Sequence, residues 1–156
     1  MNRESGEETF SSPFIPHYFY RFNYLLMKDF RPECLENLKL NKTNGKTLMV
    51  LFRKGSRTMS ELVQHMNIEK GSMTSVVDHL IQRDLAVRER DQMDRRRVII
   101  NLSEDGRTLA RELEGEMNNY ILFKLNLLGE ERKNAVKDFV SIAKESIEIW
   151  ENQCET

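Results

Sequence analysis

Apolar residues follow helical spacing along most of the chain. After Pro16, which suits the first turn of a helix, the aromatic and leucine residues from Tyr18 to Leu26 predict a first helix whose apolar surface is wider than one face. Pro32 interrupts or kinks that helix. Further apolar positions at helical spacing lie in Leu48 to Phe52, Leu62 to Met66, Met73 to Leu80, Leu109 to Leu127 and Val136 to Trp150. The pattern therefore predicts a mainly helical chain.

Polar residues and glycines mark where several of these helices begin and end. Thr58 and Glu61 form a T-x-x-E capping box, in which the hydroxyl and the carboxylate satisfy free amides at a helix start. Ser103 precedes two acidic residues, which favour the positive end of a helix dipole. Gly55 and Gly129 each follow a helical pattern and predict its end.

The period of the pattern changes from 3.6 to 2 after Asp84. Leu85 to Arg90 and Arg96 to Leu102 alternate as two strands, with Val98, Ile100 and Leu102 on one face. The residues DQMDR connect the strands, so the pair is a β-hairpin with arginines at its tip. The predicted fold class is α+β, mainly α with one small hairpin.

The middle of the chain has the element order of a winged helix-turn-helix, because two closely spaced helices precede the hairpin. The helix around Met73 has a small, polar opposite face. Such a face fits a major groove about 12 Å wide, where base edges are distinguishable. Arginines at the hairpin tip suit the negative potential of a narrow minor groove. Double-stranded DNA is therefore the expected partner.

The same section resembles the multiple antibiotic resistance regulator (MarR) family of bacterial and archaeal transcription regulators. The matching features are TMSEL at a helix start, SMTSVVDHL in the recognition helix and DQMDRRRVIINLSEDG in the wing. The wing segment follows the family pattern of aspartate, any residue, arginine, then a strand that closes on Leu-Ser with a glycine shortly after. The helices on either side match in placement rather than in residues.

The resemblance implies a homodimer in which the N- and C-terminal helices of two chains interlock. This accounts for the surplus aromatic surface near the N-terminus and for the apolar stripe that ends at Trp150. The expected division is a flexible N-terminus (1–12), an N-terminal dimerisation region (13–42), a winged helix-turn-helix domain (43–103) and C-terminal dimerisation helices (104–156).

The resemblance also assigns residues to DNA. Arg96 is expected to enter the minor groove, and Asp94 to orient it by pairing within the wing. Arg95 and Arg97 are expected to meet phosphates. The positions that the family aims at the major groove or its edges are Lys70, Gly71, Ser72, Thr74 and Ser75. Several relatives carry arginine where this chain has Ser75, so base readout by the recognition helix is expected to be weaker.

The implied function is a sequence-specific transcriptional regulator, expected to be a repressor, that binds a pseudopalindromic operator as a dimer. A small amphipathic or aromatic effector is expected to modulate its affinity for DNA. Two alternatives remain open: a redox-sensing regulator acting through Cys34, and a winged helix that binds proteins and not DNA. The first draws on relatives that sense oxidants through a cysteine, and here tyrosines lie nearby in sequence.

Charge and composition agree with this interpretation without deciding it. Over residues 53–97, 10 Lys and Arg face 7 Asp and Glu, a net charge of +3, whereas residues 98–156 carry 7 against 12, a net charge of −5. A basic middle section suits a polyanion. No apolar run is long enough to span a bilayer, no secretory signal is visible, and two distant cysteines suit a reducing compartment, so a cytoplasmic protein is expected.

The sequence offers no catalytic constellation. No segment pairs a nucleophile with a base, or two carboxylates, in a way that predicts an enzyme. The three histidines have no paired ligand spacing, so neither a metal site nor a cofactor is expected.

Overall fold

A computed structural model describes residues 15–154, and the side chains of residues 17–153. The flexible N-terminus predicted for residues 1–12 lies outside this part of the chain. The chain divides into two compact units, one ending at Phe30 and the other beginning at Arg31. The first described element, helix α1 (Ile15–Met27), belongs to the first unit. It carries the predicted aromatic residues.

The second unit contains six helices and three strands within residues 31–154. In chain order these are α2 (Glu33–Asn37), α3 (Lys42–Lys54), β1 (Arg57–Thr58), α4 (Met59–Met66), α5 (Lys70–Gln82), β2 (Ala86–Arg90), β3 (Val98–Leu102), α6 (Glu104–Asn126) and α7 (Glu130–Cys154). The mainly helical α+β class predicted from the sequence is confirmed. None of the helices described is both long and apolar enough to cross a membrane.

The predicted helix starts are present as hydrogen-bonded caps. Thr58 and Glu61 form the reciprocal capping box of α4, with the Thr58 amide donating to Glu61 Oε2 at 2.6 Å and the Glu61 amide donating to Thr58 Oγ1 at 3.3 Å. Ser103 caps α6, its Oγ accepting from the Gly106 amide at 2.9 Å. Helix α3 has a second capping box, between Asn41 and Asn44, which was not predicted from the sequence.

The sheet has three strands in the order β1-β3-β2, all antiparallel. The hairpin of β2 and β3 was predicted, whereas β1 was not. Strand β1 is only two residues long, and pairs Arg57 with Ile100 and Thr58 with Ile99. Two residues are too few to show an alternating pattern, so this strand depends on its contact with β3.

The core lies where α3, α4, α5 and α6 meet the base of the sheet. Its fully buried side chains include Leu48, Leu51, Leu62, Met73, Val77, Leu80 and Ile100. Val98 was predicted to lie on one face of β3 with Ile100 and Leu102; those two residues are buried, whereas Val98 is 50% exposed. The reason is position: Val98 pairs with Arg90 at the outer end of the hairpin, beyond the helices that cover its base.

Candidate nucleic-acid interface

Helix α5 buries one face and presents the other to solvent. Met73, Val77 and Leu80 are fully buried and hold the helix in the core. Of the residues predicted to face DNA, Lys70, Gly71, Ser72 and Ser75 are exposed and Thr74 is partly exposed. The buried residues are three to four positions apart, as helical periodicity requires. The five predicted recognition positions therefore form an accessible surface along the first two turns of α5.

The hydroxyl groups on this surface are held by the helix backbone. Thr74 Oγ1 donates to the Lys70 carbonyl at 3.0 Å, and Ser75 Oγ donates to the Gly71 carbonyl at 3.3 Å. Each hydroxyl oxygen can still accept a hydrogen bond while its proton is engaged in this way. The helix thus presents acceptors and a threonine methyl group, together with the cationic Lys70 at its first position.

Two aspartates shape the tip of the wing, which is the hairpin of β2 and β3. Asp91 Oδ1 accepts from the amides of Met93 at 2.8 Å and Asp94 at 3.3 Å. Asp94 Oδ1 accepts from the Arg96 amide at 3.0 Å. The amide hydrogen bonds from Met93 and Asp94 lower the pKa of the Asp91 carboxyl below its ordinary value. The role of Asp91 was not predicted from the sequence, although aspartate two residues before a turn amide is the usual signal of an Asx turn.

Asp94 therefore acts on the Arg96 backbone. It was predicted to orient Arg96 by pairing within the wing, and the hydrogen bond to the Arg96 amide fixes where the Arg96 side chain leaves the chain. Arg95, Arg96 and Arg97 are all exposed.

The three wing arginines differ in their partners. Arg97 Nη2 lies 3.3 Å from Glu61 Oε1 of helix α4. The ion pairs within residues 15–154 include neither Arg95 nor Arg96. Two guanidinium groups at the tip are consequently available to an anionic partner, while the third already has a carboxylate neighbour.

The wing forms a second ion pair, with helix α5, the predicted recognition helix. Arg88 Nη2 of β2 lies 2.6 Å from Asp78 Oδ1 of α5. Asp78 belongs to the polar face of α5, where an isolated carboxylate would repel phosphate. Its pairing with Arg88 offsets that repulsion and connects the helix with the hairpin.

Cys34 lies away from this surface, at the start of helix α2. It is buried, and burial followed by a hydrogen bond to Glu116 raises the pKa of its thiol to about 12. Glu116 of α6 also accepts from the amides of Glu33 at 2.6 Å and Cys34 at 2.9 Å. A reactive cysteine needs a thiolate and an electropositive, accessible setting. Cys34 is instead buried beside a carboxylate, and the pKa of its thiol is raised. These surroundings disfavour the redox-sensing alternative.

We expect Cys34 to react slowly with a thiol reagent in the folded protein. In a Cys154→Ser variant, Ellman's reagent at pH 8 should modify Cys34 much faster in urea than in buffer, because burial and the raised pKa keep the thiol neutral and covered. Peroxide should also leave DNA affinity unchanged. Rapid modification of the native protein would return the redox alternative to consideration.

The described residues show no group of three or more His, Cys, Asp or Glu side chains placed to hold a metal ion.

Comparison with known proteins supports the assignment made from the wing motif. The sequence model of the MarR family matches residues 43–97, from α3 to the last wing arginine. The chain is 29% identical over 107 residues to the uncharacterized HTH-type transcriptional regulator YwhA of Bacillus subtilis, covering 67% of this chain and 76% of YwhA. It is 27% identical over 109 residues to the HTH-type transcriptional repressor MdtR of the same species, covering 68% and 70%.

Solved structures share the fold at low sequence identity. NadR in complex with 4-hydroxyphenylacetate is 23% identical with a TM-score of 0.63, over 92% of this chain and 97% of NadR. A single-residue variant of Staphylococcus aureus MepR bound to an oligodeoxyribonucleotide is 20% identical with a TM-score of 0.56, over 86% and 99%. YwhA and MdtR are transcriptional regulators rather than enzymes. With its recognition helix, its arginine-tipped wing and these relatives, the chain is similar to the MarR family of winged helix-turn-helix DNA-binding transcriptional regulators, whose sequence model matches residues 43–97.

Proposed function

We propose that the protein is a homodimeric repressor that binds a pseudopalindromic operator and releases it in response to a small amphipathic or aromatic molecule. The observation that carries the DNA-binding part is the exposed face of α5 beside a wing whose Arg95 and Arg96 enter no ion pair with the described residues. The recognition helix presents Lys70, Gly71, Ser72, Thr74 and Ser75 to the major groove or its edges. Arg96 enters the minor groove, and Arg95 contacts phosphate.

The dimer part of the proposal is supported by apolar side chains left exposed on the last two helices. They include Leu122, Phe123 and Leu127 near the end of α6, and Val140, Ile142, Ile147, Ile149 and Trp150 on α7. An apolar surface of this extent on a single chain is typical of a protein interface. Tyr18, Tyr20 and Tyr24 on α1 are also exposed. Residues 13–42 and 104–156 would form the dimer, and residues 43–103 would bind DNA.

The effector part of the proposal rests on relatives and on physical linkage. The crystal structure of NadR contains 4-hydroxyphenylacetate, a structure of a MepR variant contains a bound oligodeoxyribonucleotide, and both share this fold. MdtR supports repression as the sense of regulation. A twofold dimer must hold its two recognition helices about one DNA turn apart. An effector that binds more tightly to a dimer with a different helix spacing then lowers the affinity for DNA, because effector binding and DNA binding are linked equilibria.

The decisive experiment is a titration of the full chain with short genomic duplexes, including the region upstream of its own gene, at two salt concentrations. We expect two chains per duplex, binding to one sequence that is ~10³-fold or more tighter than to others, and a steep loss of affinity with salt. Binding that ignores both sequence and salt would contradict the proposal and favour a protein-binding winged helix.

A further inference from the structure

The structure separates Arg97 from the other two wing arginines. Arg97 Nη2 lies 3.3 Å from Glu61 Oε1, whereas Arg95 and Arg96 enter no ion pair with the described residues. We propose that Arg97 is a positioning residue that fastens the wing to helix α4, and that it is not a phosphate contact. This departs from the role expected for Arg97 from the sequence. It rests on the proposed function, because it concerns how the wing is presented to DNA.

Glu61 is held in place before it meets Arg97. Its Oε2 accepts from the Thr58 amide at 2.6 Å and from Thr58 Oγ1 at 2.9 Å, and these bonds cap α4. The other carboxylate oxygen, Oε1, is left to face Arg97. A carboxylate that is already fixed loses little conformational freedom when a guanidinium binds it. The capping box therefore presents a rigid acceptor to the wing.

On the wing side, the backbone of Arg97 is also held in place by hydrogen bonds. Its amide donates to the Asp94 carbonyl at 2.9 Å, and its carbonyl accepts from the Asp91 amide at 3.0 Å, so its backbone closes the turn between β2 and β3. A side chain anchored at this residue restrains the whole tip. Arg95 and Arg96 lie within the same turn.

The sheet explains why such a restraint has an effect. The pairing of β1 with β3 covers only two residue pairs, and its outer pair is Thr58 with Ile99. Beyond Ile99, β3 has β2 as its only strand neighbour among the described residues. The Glu61–Arg97 pair joins α4 to the hairpin two residues further toward the tip than the Thr58–Ile99 pair. The ion pair therefore holds the outer part of the hairpin against α4, beyond the point where the pairing of β1 with β3 ends.

The pair is too exposed to contribute much to stability. The side chains of Arg97 and Glu61 are 49% and 44% exposed, and surface ion pairs of this kind add little to the free energy of unfolding. We expect the Glu61–Arg97 pair to restrict the orientation of the wing instead. Arg97 would thus change DNA affinity without adding a phosphate contact of its own.

A double-mutant cycle on DNA affinity tests this inference with Glu61→Gln, Arg97→Gln and the double variant. Glutamine at position 61 retains the capping box, since glutamine serves in that motif as glutamate does. We expect Arg97→Gln to weaken operator binding about three- to fivefold. The slope of log affinity against log salt should be unchanged. In the Glu61→Gln background, Arg97→Gln should cause no further weakening.

A phosphate contact predicts a different pattern. Arg97→Gln would then weaken binding by the same factor in both backgrounds, and the salt slope would fall by about one. Equal weakening in both backgrounds, or none in either, would overturn the inference. Unchanged thermal unfolding of each variant excludes a loss of fold as the cause.

Arg96→Ala, measured in parallel, separates this inference from the proposed function. If Arg96→Ala leaves binding intact, the wing does not contact DNA and the proposed function fails at that point. If Arg96→Ala weakens binding while the cycle shows no coupling, only the positioning role of Arg97 fails.

Discussion

Gly106→Ala is expected to destabilise the protein by about 3 kcal/mol, which for a domain of this size lowers the unfolding temperature by about 6–12 °C. A Cβ built at Gly106 would lie 1.9 Å from the carbonyl oxygen of Leu85. That oxygen cannot easily move, because it accepts from the Ser103 amide at 3.2 Å. Ser103 Oγ also donates to the neighbouring Asp84 carbonyl. Thermal or urea unfolding followed by circular dichroism measures the loss.

Gly115→Ala is the matched control in the same helix. A Cβ at Gly115 meets no atom within 4 Å. Alanine should therefore stabilise α6 there by up to about 1 kcal/mol, because glycine is the poorer helix former. Equal stability of the Gly106→Ala variant and the parent protein would contradict the packing described for the start of α6.

Arg96→Ala is expected to weaken operator binding about 10- to 100-fold, the effect of losing one well-placed arginine from a DNA contact. The Arg96 guanidinium is exposed and enters no ion pair with the described residues, so its removal leaves no described carboxylate without a partner. Stability should change little for the same reason. Fluorescence anisotropy with a labelled operator duplex measures the affinity.

Arg111→Ala provides the control for charge. Arg111 lies on α6 outside the residues proposed to contact DNA, and its contact with Glu104 is a long one of 4.0 Å between exposed side chains. The two substitutions change the net charge equally, so a general loss of attraction to DNA would affect both. A loss of affinity as large for Arg111→Ala as for Arg96→Ala would show that Arg96 acts through net charge alone.

Local interactions explain why much of the fold was predictable. The capping residues Thr58 and Ser103 act within three positions of themselves, so the sequence alone indicated where α4 and α6 begin. The buried face of α5 repeats at helical spacing, which also predicted the opposite, exposed face. The candidate site was predictable to the same extent, because its recognition residues share one helix and its arginines share one turn.

Features that depend on residues distant in sequence were not predictable. The partner of Arg97 is Glu61, 36 residues away, and nothing near either residue indicates the pairing. Strand β1 was missed because two residues carry no periodicity, and its existence depends on β3. The raised pKa of the Cys34 thiol depends on burial and on Glu116, which lies 82 residues away.

The sequence by itself determined the helices, the hairpin and the wing motif that resembles the MarR family, because periodicity, caps and turn residues act over a few positions. Only the tertiary structure decided which arginine pairs with a carboxylate, why Gly106 must lack a Cβ, and how the hairpin is supported beyond its strand pairing. Those properties depend on distances between segments that the chain brings together only when the core forms. Van der Waals contact and the attraction within an exposed ion pair are both significant only at separations of a few ångströms.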